Sequence, residues 1–256
     1  QLADSLGCER VVAVSNGWSA LFASLLSLNL KPGDEVITTP FTFQATTNAI
    51  IMAGGTPVFV DIGEDSLIDS NLIESYITDK TVAILPVHLF GRACNMTEIV
   101  RLAYIYELNV IEDAAQSFLG EFQGQKLGTF GEFGCFSFYA TKNLSTFEGG
   151  AIAVKHKEDE DKIRALISHG QTKKYQHEYL GFNGRMSAQA ALTGYQQLKL
   201  HKNQIIHSLG EYNESNGYYP YLTYEHEFVK QRGIIGNCPK AEALSKKIKE
   251  ELCKKS

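Results

Sequence analysis

Several things are scarce in this 256-residue chain. No apolar run reaches the ~18 residues that a membrane-spanning helix needs, which argues against an integral membrane protein. There is no G-x-x-x-x-G-K-[ST] loop and no G-x-G-x-x-G, and Gly128, Gly131 and Gly134 have the wrong spacing to replace one. That sets aside a P-loop enzyme and disfavours a nicotinamide enzyme, although Asp61 after an apolar run imitates a ribose-binding acid. Cysteine is limited to Cys8, Cys94, Cys135, Cys238 and Cys253, an odd and scattered set without C-x-x-C. Neither a disulfide framework nor a structural zinc site is expected, and a reduced, cytoplasmic setting fits better. Positive charge is in deficit, 24 Lys and Arg against 29 Asp and Glu, so no overall basic field gathers phosphate backbones and nucleic acid is not an expected partner. No secretory signal is visible. Gln1 to Gly7 reads as the tail of a helix, as if the chain started inside an element and an N-terminal piece were missing.

What is present is a 44% hydrophobic chain, enough for a sizeable core and for one large domain with a small appendage. Ser15-Asn16-Gly17 reads as a turn before a helix over Leu21–Leu30, which Pro32-Gly33 ends. A strand at Glu35–Thr38, a helix at Ala45–Met52 and a strand at Pro57–Val60 follow. Asp69 or Ser70 is placed to cap a helix over Leu72–Ile77. Val82–Val87 is a continuous apolar run of the buried parallel type. Met96–Glu107 has a helical stripe, and Val110-Ile111 is a strand ending in Glu112-Asp113. This alternation predicts an α/β domain with a mainly parallel sheet. The rhythm then changes. Gly134–Tyr139 and Ala151–Val154 read as strands without an intervening helix, an antiparallel addition. Helices are expected at Glu158–His169, Met186–Leu200 and Lys240–Lys255, the last with a solvated basic face.

Ligands of open α/β sheets bind beyond the carboxyl ends of the strands, where the polar residues are Asn16, Asp61, His88, Asp113 and Gln116. The plain reading of Asp113 is a helix cap. Lys142 follows the apolar segment Phe136-Ser137-Phe138-Tyr139. There an amine is partly desolvated, which lowers its pKa and frees a neutral nucleophile; its plain reading is a surface lysine. The helix start at Gly17, Trp18 and Ser19 directs amide N–H groups and the helix dipole toward an anion, and Ser137 is a candidate hydroxyl for the same anion.

An anion-binding helix start, an acid at a strand end and a lysine after a later strand are the parts that a pyridoxal phosphate site needs. From about Cys8 to Lys202 the sequence resembles the DegT/DnrJ/EryC1/StrS family of sugar aminotransferases. The segments that carry the resemblance include Val14-Ser15-Asn16-Gly17, Pro40-Phe41-Thr42-Phe43 and Gly55-Thr56-Pro57-Val58-Phe59-Val60-Asp61. They continue with Pro86-Val87-His88-Leu89-Phe90-Gly91, Glu112-Asp113-Ala114-Ala115-Gln116-Ser117, Lys142-Asn143-Leu144, Glu148-Gly149-Gly150 and Phe182-Asn183-Gly184-Arg185. The resemblance implies a three-layer fold of the pyridoxal-phosphate aminotransferase kind (fold type I). Residues 1–201 would form the large cofactor-binding domain, and residues 202–256 a reduced remnant of a small C-terminal domain. Gly217 to Lys247 reads as fragments of that domain.

The resemblance also implies roles. Lys142 would form an aldimine with pyridoxal 5′-phosphate and then shuttle a proton. Asp113 would pair with the pyridinium nitrogen, Phe43 would stack on the ring, and Gln116 would sit near the ring hydroxyl. Gly17, Trp18, Ser19 and Ser137 would hold the phosphate, with Asn183 reaching it from the partner of a homodimer. The implied reaction moves an amino group from glutamate or glutamine to a nucleotide-linked keto-sugar. Trp18 stands where the family usually has Thr, and the chain is shorter than usual members. Two rival readings are a sugar dehydratase using the same cofactor and a non-catalytic, regulatory member. Lys142 argues against the first, because the dehydrating branch has His there. His88 and Arg185 are open between substrate contact and a structural role.

Overall fold

A computed structural model describes residues 1–207 and 218–255 of the chain. Gly217, the remainder of 208–217 and Ser256, all within the expected C-terminal remnant, lie outside the described residues.

The first strand, β1 (Val11–Val14), precedes the expected Asn16 turn and was not anticipated. Helix α1 (Leu2–Leu6) stands before it, closed by Gly7 in the left-handed region. Asn16 starts α2 (Gly17–Ser27) four residues earlier than the apolar run suggests, because its side-chain oxygen accepts the Ser19 N–H at 2.8 Å. Then come β2 (Glu35–Thr38), α3 (Gln44–Met52), β3 (Thr56–Phe59), the short α4 (Ser70–Ile73) capped by Asp69, and β4 (Thr81–Ile84). Strand β4 stops short of the expected Val87. Pro86 has no N–H for the ladder, and pairing resumes as a single bridge between Val87 and Asp113. Helix α5 (Met96–Ile105) buries Met96, Ile99, Leu102 and Ala103 and leads to β5 (Asn109–Asp113). A small hairpin, β6 (Glu121–Phe122) and β7 (Gln125–Lys126), precedes β8 (Phe133–Ser137) and β9 (Gly150–Val154). Helix α6 (Lys157–Leu166), hairpin β10 (Gln171–Lys173) and β11 (Gln176–His177), α7 (Ala188–His207), α8 (Glu227–Lys230) and α9 (Pro239–Lys255) complete the order.

Seven strands form one sheet in the order β1-β9-β8-β5-β4-β2-β3. The pairs from β3 through β8 are parallel, and β9 is antiparallel to both β8 and β1. The expected antiparallel addition is therefore β9, inserted between β8 and the unanticipated β1.

Strand alternation shows three layers. Along β8 and β9, Phe133, Cys135, Ile152 and Val154 join a core with α2 and α6, through Ala20, Leu21, Leu25 and Ile163. Their neighbours Phe136, Ala151 and Ala153 join a second core with Leu6 of α1 and Leu198 and Ile205 of α7. Both strands are buried throughout, as a sheet covered on both faces requires. Among the described residues no helix is long and apolar enough to cross a membrane.

The C-terminal segment packs onto the sheet edge. Tyr224 lies 5.4 Å from Phe59 between ring centroids. The Asp61 carboxylate accepts the Lys240 and Ala241 N–H groups at 2.8 and 2.9 Å, capping α9 from across the chain. Asp61 is thus committed to fold, not to a ribose.

Candidate active site

A cavity of about 750 Å³ opens where β5 and β8 end and α2 begins, the position that sheet topology favours for a ligand. Lys142, Asp113, Gly17, Trp18, Phe43, Gln116 and Ser137 all line it. Seven of the nine residues expected from the sequence therefore meet in one place.

Asp113 ends β5 and is 5% exposed. Its Oδ2 accepts the Thr46 hydroxyl at 2.8 Å and its Oδ1 accepts the Ala115 N–H at 3.2 Å. Burial raises its pKa, opposed by those hydrogen bonds and by the Lys142 charge. Lys142 sits in the turn after β8. Burial lowers its pKa and Asp113 opposes the shift. Among the described residues its ammonium has no hydrogen-bond or ion-pair partner. The two groups thus perturb each other across one cavity, each pushed toward its neutral form by desolvation.

The phosphate end follows from close approach. A Cβ on Gly17 would stand 2.7 Å from Ser137 Cβ, so only glycine lets the helix start and the strand end touch. The Gly17 and Trp18 amides have no acceptor among the described residues, which is the arrangement that binds an anion. Trp18 turns its indole onto Phe22, with ring centroids 4.7 Å apart. Phe43 stands 66% exposed at the start of α3. Gln44, beside it on the wall, has a buried side-chain oxygen without a partner among the described residues. Free amide donors at a helix start, a buried acceptor and an amine that have no partners among the described residues, and a buried carboxylate on the same wall fit pyridoxal 5′-phosphate.

Two expected residues are not on the wall. The Ser19 hydroxyl bonds to that of Ser15 at 2.8 Å, and its N–H is taken by Asn16. Asn183 is exposed and bridges Ser168. His88 and Arg185 do not line the cavity either. His88 is fully buried, accepts the Cys94 N–H on Nδ1 at 3.1 Å and donates from Nε2 to Glu112 at 3.0 Å, a structural role.

Sequence reasoning missed Thr46, whose contact with Asp113 spans 67 positions, and the wall contributed by Tyr218, Tyr219, Tyr221 and His226. The tyrosine cluster beside His226 was a visible signal with no indication of where it packs.

The sequence model of the DegT/DnrJ/EryC1/StrS aminotransferase family matches residues 1–208. Over 195 residues the chain is 41% identical to the UDP-N-acetyl-3-dehydro-α-D-glucosamine 3-aminotransferase of Acidithiobacillus ferrooxidans, covering 75% of this chain and 53% of that protein. The chain spans about half the length of the curated relatives it matches. The crystal structure of a DegT/DnrJ/EryC1/StrS aminotransferase from Brucella abortus superposes with a TM-score of 0.87 at 25% identity, covering 95% of this chain and 80% of that one. A putative sugar aminotransferase from Streptococcus pneumoniae, solved in its PLP form, gives a TM-score of 0.73 at 29% identity over 79% of this chain and 58% of that one. A PMP form of it is also known. Together with the family match, these forms indicate pyridoxal 5′-phosphate as the cofactor. The sheet order, the cavity and the match over residues 1–208 place this chain in the DegT/DnrJ/EryC1/StrS aminotransferase family.

Proposed function

We propose that this chain transfers an amino group from glutamate or glutamine to a keto-sugar carried on a nucleotide, using pyridoxal 5′-phosphate held between Lys142 and Asp113. The single observation that carries the reading is that these two side chains open onto one cavity, one a buried amine without a partner among the described residues and the other a carboxylate held by only two donors there.

Bound there, the cofactor supplies an aldehyde that takes up amines and a ring that withdraws electrons from the carbon being deprotonated. The chain supplies the rest. Lys142, its pKa lowered by desolvation, would hold the cofactor through its amine and would carry a proton to and from the reacting carbon. Asp113 is costly to bury as an anion, so its charge is favoured once a cationic ring nitrogen meets it. Thr46 and the Ala115 amide hold that carboxylate in one orientation. The Gly17 and Trp18 amides and the Ser137 hydroxyl hold the phosphate, and the dipole of α2 adds to the attraction. Phe43 offers its ring as a wall for the heterocycle.

Asn183, exposed and away from the cavity of its own chain, would serve the phosphate of a second copy, which makes the working form a homodimer. Residues 1–201 form the cofactor-binding domain and the later residues the remnant of a smaller one.

The test is spectroscopic. Pyridoxal phosphate added to the protein should produce a visible band that depends on Lys142, and glutamate should then convert it to the pyridoxamine spectrum. A panel of nucleotide-linked keto-sugars should restore the first spectrum and gain an amine by mass. A band that responds to no amino donor would remove transamination from the account and leave a dehydrating or regulatory protein.

A further inference from the structure

Gln116 is held at both ends of its amide. The Phe90 backbone N–H, which can only donate, reaches Oε1 at 2.9 Å. That fixes the amide orientation, so Nε2 faces the Tyr219 hydroxyl at 2.6 Å and donates to it. The phenol oxygen is therefore an acceptor in this contact, and its own proton is left to give. Among the described residues that O–H has no acceptor. Burial keeps the phenol protonated, and the nearby Asp113 charge acts in the same direction.

The setting of Tyr219 is rigid. Its ring packs edge-on against Phe41, with centroids 5.6 Å apart, and lies 6.1 Å from Phe90. Both residues that grip Gln116 adopt positive φ, 58° at Tyr219 and 56° at Phe90. Bulky residues take that conformation only against a steric cost, so the surrounding contacts over-determine it, as is common at ligand sites. Tyr219 and Gln116 both line the cavity. An unspent donor, held in a strained and packed position on a cavity wall, has the properties of a ligand contact.

We propose that Tyr219 donates a hydrogen bond to the molecule held between Lys142 and Asp113, so that cofactor binding and the packing of the C-terminal segment over the cavity are one coupled event. This rests on the reading of the cavity as a pyridoxal phosphate site. The coupling has a thermodynamic consequence. A ligand that accepts from Tyr219 stabilises the segment that carries it, and loosening the segment weakens the ligand by the same factor.

The experiment compares wild-type protein with Tyr219→Phe, which keeps the ring contacts and removes only the hydroxyl. Pyridoxal phosphate is titrated against each, with the visible band as the binding signal, and backbone hydrogen exchange of residues 218–227 is followed with and without it. The expected result is a roughly 3- to 10-fold weaker dissociation constant in the variant, the scale of one hydrogen bond. Exchange in 218–227 should slow on binding in the wild type and slow less in the variant. Melting of the two proteins without cofactor should agree within about 3 °C, separating a ligand contact from a folding defect. Equal affinities, or exchange that ignores the cofactor, would overturn the contact while leaving the cofactor reading intact. A wild-type protein that forms no band at all would overturn both.

Discussion

The two sides of the β5 terminus carry neighbouring buried carboxylates with opposite fates. Glu112 is filled. Its Oε1 accepts the Phe130 and Gly131 N–H groups at 2.7 and 2.9 Å, and its Oε2 accepts the Gly128 N–H at 2.7 Å and His88 Nε2 at 3.0 Å. Asp113 has the Thr46 hydroxyl and the Ala115 N–H, and its remaining acceptor sites face the cavity. A carboxylate offers about four lone-pair positions. Glu112 uses them to pin the 128–131 loop against the sheet, where Gly134 lets the Gly128 backbone approach so closely that a Cβ could not be fitted. Burial is common to both residues. What distinguishes Asp113 is unfilled acceptor capacity beside an amine that has no partner among the described residues.

The largest effect is expected at Glu112. Glu112→Ala would leave the His88 N–H and three amides without their acceptor, and should cost about 3–5 kcal/mol of stability by denaturant unfolding. A loss below about 1 kcal/mol would mean that the network is not what orders the loop.

Asp113→Asn should do the reverse. The unliganded fold should keep its stability near neutral pH or gain some, because the folded carboxyl binds its proton more tightly than the unfolded one. With that sign, stability contributed by Asp113 is full below the unfolded pKa and falls as pH rises through the raised folded value. The variant should lose this slope, read by unfolding over a pH series. Turnover of the loaded protein should drop on the order of 10²-fold, the scale of removing one charge-stabilising group.

Thr46→Val is the smallest change. It removes one of two donors to Asp113 and should cost about 1 kcal/mol. Because the Thr46 hydrogen bond favours the charged carboxylate, its loss should move the Asp113 titration to higher pH, visible as an upward shift in the pH profile of the cofactor spectrum. A profile identical to wild type would show that Thr46 does not orient the carboxylate.

Much of this architecture was readable because local rules govern it. Apolar strands and the Asp69 cap each act within a few residues, and the expected elements from Glu35 to Val154 appear with ends shifted by at most four residues, whereas α2 ends at Ser27, before the expected Pro32-Gly33 stop. Strand β1 escaped because four apolar residues beside a turn have too little pattern to distinguish strand from loop. The candidate site was legible where a residue type suited its neighbours, as with Lys142 after a buried strand. It was not legible where roles depend on distant contacts. Asp61 serves α9 from 180 positions away, and Thr46 serves Asp113 from 67. The Tyr219 contact with Gln116 spans 103 positions, and a cluster of tyrosines gives no indication of which one reaches the cavity.

Chemical trapping shows directly whether Lys142 is the amine that meets the cofactor. Pyridoxal phosphate is added to the full chain, the mixture is reduced with borohydride, and the tagged peptide is mapped by mass. One dominant modification is expected, on Lys142, lost in Lys142→Met and strongly reduced in Asp113→Asn. A dominant tag on another lysine, or labelling of Lys142 no greater than that of exposed surface lysines, would contradict it.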